Sequence, residues 1–165
     1  MSRGQEDATM HVSLEELMPE TFAPFGQVLL APQNNTREDF AAKVENDRPA
    51  TARANLALVA ASPVRLPLEI KCLERHAHSN QAFLPLNVPE YLVVVCNDTG
   101  TGRPNLETLR AFRVSGRTGV NYNRGTWHHG MTTIGESGTF AMLVHEDGTA
   151  GDCEFVDVEP IVVEA

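Results

Sequence analysis

The sequence predicts an all-β protein, an antiparallel β-barrel of the jelly-roll kind with a short helical segment near its N-terminus. Three features point there. Apolar runs are short and separated by turn residues. The intervening punctuation is rich in glycine, as in NDTGTGRPN, SGRTG, GESG and EDGTAGD. No long helical period follows residue 30. Short strands with heavy turn signals are the pattern of sandwiches and barrels. A chain of 165 residues is one domain's worth, so residues 1–165 are expected to share one core.

Along the chain, residues 1–11 read as a flexible leader. Ser13 and Glu16 fit a capping box for a first helical turn. Pro19 can open a second turn and Gly26 can end it. Strands are then expected at Gln27–Ala31, Ala54–Ala60, Leu68–His78, Gln81–Leu86, Glu90–Cys96, Leu109–Val114, Gly119–Tyr122, Thr126–Thr132, Thr139–His145 and Glu154–Val158. Phe83, Leu84 and Leu92–Val95 are expected in the core.

Composition excludes several partners. A net charge of −9 disfavours nucleic acid and anionic membranes, so neither is expected to bind. No apolar run approaches the ~20 residues needed to span a bilayer. The opening MSRGQEDATM is polar and carries no secretory signal pattern, which predicts a cytoplasmic location. Cys72, Cys96 and Cys153 are far apart and form no CxxC pair. They read as reduced thiols, with Cys72 and Cys96 buried. An anionic substrate would need a local positive group.

The chemistry concentrates in two histidine clusters. The first is Glu74-Arg75-His76-Ala77-His78-Ser79-Asn80-Gln81. Residues two apart in a strand share a face, so Glu74, His76 and His78 should point the same way, with Gln81 just past a turn. The second is Asn123-Arg124-Gly125-Thr126-Trp127-His128-His129, in which Gly125 marks a tight turn feeding a strand. An H-x-H segment followed by G-x-x-H on a later strand is similar to the two metal-binding segments of cupins, which predicts a cupin-like barrel. A ligand set of His76, His78, Gln81 and His128 would be neutral and would leave a divalent ion its full charge. Imidazole suits nickel, zinc, copper or iron, and the sequence does not choose among them. No organic cofactor is expected.

The segments FAPFGQVL, LERHAHSNQAFLPL, YLVVV, PNLETLRAF and GVNYNRGTWHH resemble, in that order, the ureidoglycolate lyase family, from about Leu14 to about Val158. The resemblance implies a cupin-like fold, a homodimer, a nickel or similar divalent ion requirement, and release of urea and glyoxylate from ureidoglycolate in allantoin-derived nitrogen recovery. The chain departs from the family at Ala77 and Gly130, where proline is expected. Family members without a histidine at the position of His78 weaken that residue as a ligand.

For such an elimination His76 and His128 are assigned to metal or base, with Glu74 as a competing base. His129 is a further catalytic candidate beside His128. Arg124 is expected to clamp the substrate carboxylate, because arginine binds carboxylates bidentately. Asn121 and Tyr122 are expected to bond the urea group. Arg75 is a secondary substrate contact, although it alternates away from His76 and can pair with an acid outside the barrel. Trp127 reads as core or pocket wall. His11 and His145 read as surface or structural groups. Rival readings are another cupin enzyme, an epimerase or a metal dioxygenase, and a non-catalytic small-molecule-binding barrel.

Overall fold

The structure, a computed structural model, describes residues 9–165. Its strands are β1 (Met10–Glu16), β2 (Gly26–Leu29), β3 (Arg53–Ala61), β4 (Pro63–Val64), β5 (Leu68–Arg75), β6 (Gln81–Pro85), β7 (Glu90–Asp98), β8 (Pro104–Ser115), β9 (Gly119–Tyr122), β10 (Trp127–His128), β11 (Thr132–Ile134), β12 (Gly138–Glu146) and β13 (Glu154–Glu164). One short helix, α1 (Pro19–Phe22), and two 3-10 turns complete the described residues. No helix among them is long and apolar enough to cross a membrane.

One sheet runs β10-β5-β13-β1-β8-β7-β11-β4, and β10 pairs with β7 as well as β5, so six strands close into a ring. A second sheet, β2-β9-β6-β12-β3, packs on it. The result is an all-β, cupin-like barrel. Strand β7 serves two apolar clusters by alternation. Tyr91, Val93 and Val95 join Phe22, Phe83, Phe112, Val120, Tyr122 and Phe140 in one cluster. Leu92, Val94 and Cys96 join Ile70, Leu73, Trp127 and Ile161 in the other. Trp127 is therefore core, as expected.

Several expectations are corrected. Residues 10–16 are strand, with no capping box at Ser13 and Glu16. Met10, Val12 and Leu14 recur with period two and pack on the second cluster, and β1 lies between β13 and β8 with parallel register to both. Tertiary pairing overrides the local helix signal. The first sheet is consequently mixed, with β11 also parallel to β4, while the second is wholly antiparallel. Of the expected leader, residues 1–8 lie outside the described residues, while Met10 and His11 belong to β1. The expected strand 68–78 stops at Arg75, and the expected strand 126–132 splits into β10 and β11. Cys72 is exposed because it points away from both clusters. Leu84 is 49% exposed, since it alternates with the buried Phe83.

Candidate active site

Strands β5 and β10 meet where Glu74 pairs with His128 in register. Paired residues present their side chains on the same face, so the carboxylate and the imidazole meet. Glu74 Oε1 lies 3.4 Å from His128 Nε2. His76, one residue past the end of β5, brings its ring within 5.7 Å of the His128 ring at an interplanar angle of 17°. One ligand atom from each of Glu74, His76 and His128 falls within 4.8 Å of the others.

The tautomers follow from the backbone. His76 Nδ1 bonds the Asp152 carbonyl at 2.8 Å and His128 Nδ1 bonds the Thr126 carbonyl at 3.0 Å. A carbonyl oxygen only accepts, so each Nδ1 carries hydrogen, and in the neutral ring each Nε2 presents a lone pair. Both Nε2 atoms are buried without a hydrogen-bond partner. The site is thus a cluster of acceptors: two imidazole lone pairs facing a carboxylate. Acceptors brought together in a dry place favour a proton or a cation between them. The donor set fits a divalent ion such as nickel, zinc or iron. Carbonyl bonds that fix the tautomer are the usual support for metal-binding histidines.

Electrostatics agree. Burial acts to raise the pKa of Glu74, but a hydrogen bond from His128 and the positive charge that His128 and His76 carry when protonated, with the Cys153 thiol, outweigh it and hold the carboxyl below its ordinary range. Burial and the neighbouring His128 lower the pKa of His76, with the Asp152 carbonyl and Glu74 opposing. Cys153 Sγ donates to Glu74 Oε2 at 3.7 Å. Burial pushes that thiol up to about 12, so it stays protonated and orients the carboxylate.

Gln81 Oε1 and the Tyr122 hydroxyl are also buried and unpaired. Gln81 Nε2 is directed to Met142 Sδ at 3.2 Å, leaving its oxygen as the free acceptor. The Tyr122 ring stacks on His128.

Other predicted site residues lie elsewhere. The strand ends before His78, so parity does not carry it inward; its Nδ1 bonds Asp47 at 2.9 Å near the surface. The group placed to hold a metal is Glu74, His76 and His128, and His78 is not among its members. Arg124 also pairs with Asp47, at 3.0 Å, and is 42% exposed. Arg75 alternates away and binds Asp98 at 3.0 Å and Glu154 at 2.7 Å, with its guanidinium over Trp127. Arg75 and Arg124 line one polar cavity of about 230 Å³ with Asn97, Asn123 and Gly125. Gly125 has φ +80°, the left-handed turn its position requires, and its N–H donates to the His76 carbonyl at 2.9 Å. Asn121 alternates away from Tyr122, and both its amide hydrogens are taken, by Gln27 Oε1 at 2.6 Å and the Lys43 carbonyl at 3.0 Å. His129 is held by the Cys72 backbone, and burial lowers its pKa. A more capacious groove, about 380 Å³ near Leu29–Pro32, Phe40 and Leu84, is apolar and apart from these ionisable groups.

Sequence reasoning missed Cys153, Thr126 and Asp152 as supports. The last two act through backbone carbonyls, which no side-chain motif announces.

The model of the ureidoglycolate lyase family matches residues 9–164. A ureidoglycolate lyase of Pseudomonas aeruginosa (strain LESB58) is 36% identical over 152 residues, covering 87% of this chain and 88% of its own. That of Stutzerimonas stutzeri (strain A1501) is 37% identical over 152 residues, covering 87% of each. That of Chelativorans sp. (strain BNC1) is 39% identical over 149 residues, covering 85% of this chain and 87% of its own.

Proposed function

The chain belongs to the ureidoglycolate lyase family, and from that premise we propose that it eliminates urea from ureidoglycolate to leave glyoxylate. The observation that carries this reading is the convergence of Glu74, His76 and His128 in a buried place.

The substrate carries a carboxylate, a hydroxyl and a urea nitrogen on or beside one carbon. The hydroxyl O–H bond breaks, its electrons form the aldehyde C=O, the C–N bond breaks, and the nitrogen takes up a proton. One proton is lost and one gained, so a single carboxylate balances the count. Glu74, held ionised, takes the hydroxyl proton and returns it to the departing nitrogen. His76 and His128, through their Nε2 atoms, are alternative proton acceptors and the ligands for a divalent ion, with Glu74 as third ligand and Gln81 Oε1 as a further donor. When bound, that ion supplies a Lewis-acid charge that draws in the hydroxyl and carboxylate. Nickel is the ion the family resemblance implies. Arg124, on the turn tethered to His76 through Gly125, holds the substrate carboxylate after exchanging Asp47 for it. Tyr122 donates its hydroxyl to the ureido group. Arg75, engaged by two acids, supports this wall and leaves the clamp to Arg124.

The protein works in the cytoplasm as a homodimer. An apolar row on the outer face of the second sheet supports the dimer: Leu58, Ala141 and Leu84 are paired across β3, β12 and β6, flanked by Leu56.

Purified protein loaded with nickel should release urea and glyoxylate in equal amounts from ureidoglycolate. No release from either enantiomer, metal-loaded or metal-free, would sink the assignment. Two imidazoles and one carboxylate are also the donor set of non-haem iron oxygenases. Oxygen consumption with ferrous iron and a hydroxy acid, without urea release, would favour that second reading.

A further inference from the structure

His76 differs from His128 in how its ring is held. The carbonyl that fixes His128 belongs to Thr126, two residues away on the same turn. The carbonyl that fixes His76 belongs to Asp152, 76 residues away in sequence. His76 also lies beyond the end of β5, so its side chain has no strand ladder to direct it. Its aim therefore depends on whatever holds the 147–152 loop in place.

That loop is organised around carboxylates. Asp152 accepts from the backbone N–H of Asp147 at 3.0 Å and of Gly148 at 2.7 Å. Asp147 accepts from the backbone N–H of Thr149 at 3.0 Å. Both acids converge on one guanidinium: Arg48 Nη1 lies 2.9 Å from Asp147 and Nη2 lies 2.6 Å from Asp152. Arg48 is 17% exposed and the two acids 13% and 14%, so the trio is largely shielded from water. Without the guanidinium two like charges would face each other there.

Arg48 also belongs to the segment that ties the other side of His76. The neighbouring Asp47 N–H donates to the His78 carbonyl at 3.2 Å, and Arg48 N–H is capped by Asn46 Oδ1 at 3.0 Å. One side chain thus joins the segment anchored to the 76–78 turn and the loop that delivers the Asp152 carbonyl.

We infer that Arg48 is a positioning residue: by clamping Asp147 and Asp152 it sets the Asp152 carbonyl against His76 Nδ1, and so keeps the His76 Nε2 lone pair aimed at Glu74 and His128. The inference rests on the reading of His76 as a functional ligand or base, but the geometry it describes is independent of any ion. Outer supports of this kind typically change metal affinity 10–100-fold.

Histidine-selective ¹⁵N spectra of the full-length metal-free protein report the tautomer of each ring. In the wild type His76 and His128 should both show hydrogen on Nδ1. In Arg48→Ala, His76 should lose that signature and become a mixture while His128 keeps it, and the nickel dissociation constant should rise at least about tenfold. Arg48→Lys, which can meet only one carboxylate squarely, should restore part of both. An unchanged His76 signature in folded Arg48→Ala overturns the inference, as does an equal change at both rings, which would mean general loosening. Should Arg48→Ala fail to fold, Asp152→Asn removes the ionic link while keeping an acceptor, and the same selective change at His76 is expected; its absence overturns the inference. If the wild type takes up no nickel, the metal reading fails while the tautomer comparison still decides the role of Arg48.

Discussion

The Tyr122 ring lies nearly flat against the His128 imidazole, with 4.4 Å between centroids and planes 19° apart. Its hydroxyl is buried without a partner. Burial, reinforced by Glu74, holds its pKa far above that of an ordinary phenol. The group therefore stays protonated and serves as a hydrogen-bond donor rather than a base.

Tyr122→Phe should keep the stack and leave thermal stability unchanged or slightly raised, because an unpaired buried hydroxyl costs about 1–3 kcal/mol. On ureidoglycolate it should lower kcat/KM at least about tenfold, the equivalent of one hydrogen bond of ~1.4 kcal/mol made to the reacting molecule. Wild-type kinetics in a folded Tyr122→Phe protein would remove Tyr122 from the site.

Arg124 must leave Asp47 to hold a substrate carboxylate, so the two residues should have opposite effects. Arg124→Lys keeps the charge and loses the planar two-pronged contact, and KM should rise about tenfold, consistent with ~1.5–3 kcal/mol for a charged bidentate bond. Asp47→Asn frees the guanidinium and should lower KM. Steady-state kinetics of both variants check this; if neither changes KM, Arg124 is a surface ion pair worth under ~1 kcal/mol.

These residues also show what the sequence could disclose. Ten strands were legible from period-two apolar runs and glycine turns, and Glu74 opposite His128 was legible from strand parity and the Gly125 turn, whereas His76, one residue past β5, is directed by the Asp152 carbonyl. His78 was misread because parity was carried past the end of β5, where a turn begins. The Ser13–Glu16 signal was local, whereas β1 forms through partners about 100 and 150 residues away. The role of Arg48 was invisible, since it depends on three residues joined only by folding.

Asp98 gives a test of acid stability away from the ionisable cluster. Oδ1 accepts from Trp127 Nε1 at 2.9 Å and Arg75 Nη1 at 3.0 Å, and Oδ2 accepts from the Gly100 and Gly102 N–H groups at 2.7 and 3.1 Å. Partial burial acts to raise its pKa, but Trp127, the two backbone donors and Arg75 outweigh it and hold the carboxyl low. A folded-state pKa below the unfolded value of about 3.9 means that Asp98 stabilises fully above that pH, and that this stabilisation is lost as pH falls through the folded value. Asp98→Asn should cost about 1–3 kcal/mol at pH 7. Denaturant titrations should find that cost shrinking as pH falls below the unfolded value of about 3.9. A gap between variant and wild type that stays constant into acid would contradict this account.

The last expectation concerns β3, the edge strand of the second sheet. Leu56 and Leu58 on it are 76% and 72% exposed, and their partners across β12 are Leu143 and Ala141. A long apolar edge left in water is a template for pairing with another chain. A two-fold contact would use the same strand from both copies, so each leucine is buried twice per dimer. Burying a leucine is worth about 1.5–3 kcal/mol, so four contribute roughly 6–12 kcal/mol gross, before the cost of association. Replacing both by glutamate removes that contribution and sets four like charges against one another. The Leu56→Glu, Leu58→Glu double variant should therefore sediment as a monomer, with its circular dichroism retained because neither side chain belongs to the two apolar clusters. Phe155→Glu is the control: Phe155 is 68% exposed on β13, in the other sheet, and its replacement should leave the dimer intact. A monomeric wild type excludes the dimer, whereas a dimer that survives the leucine variant and dissociates on Phe155→Glu moves the interface to β13.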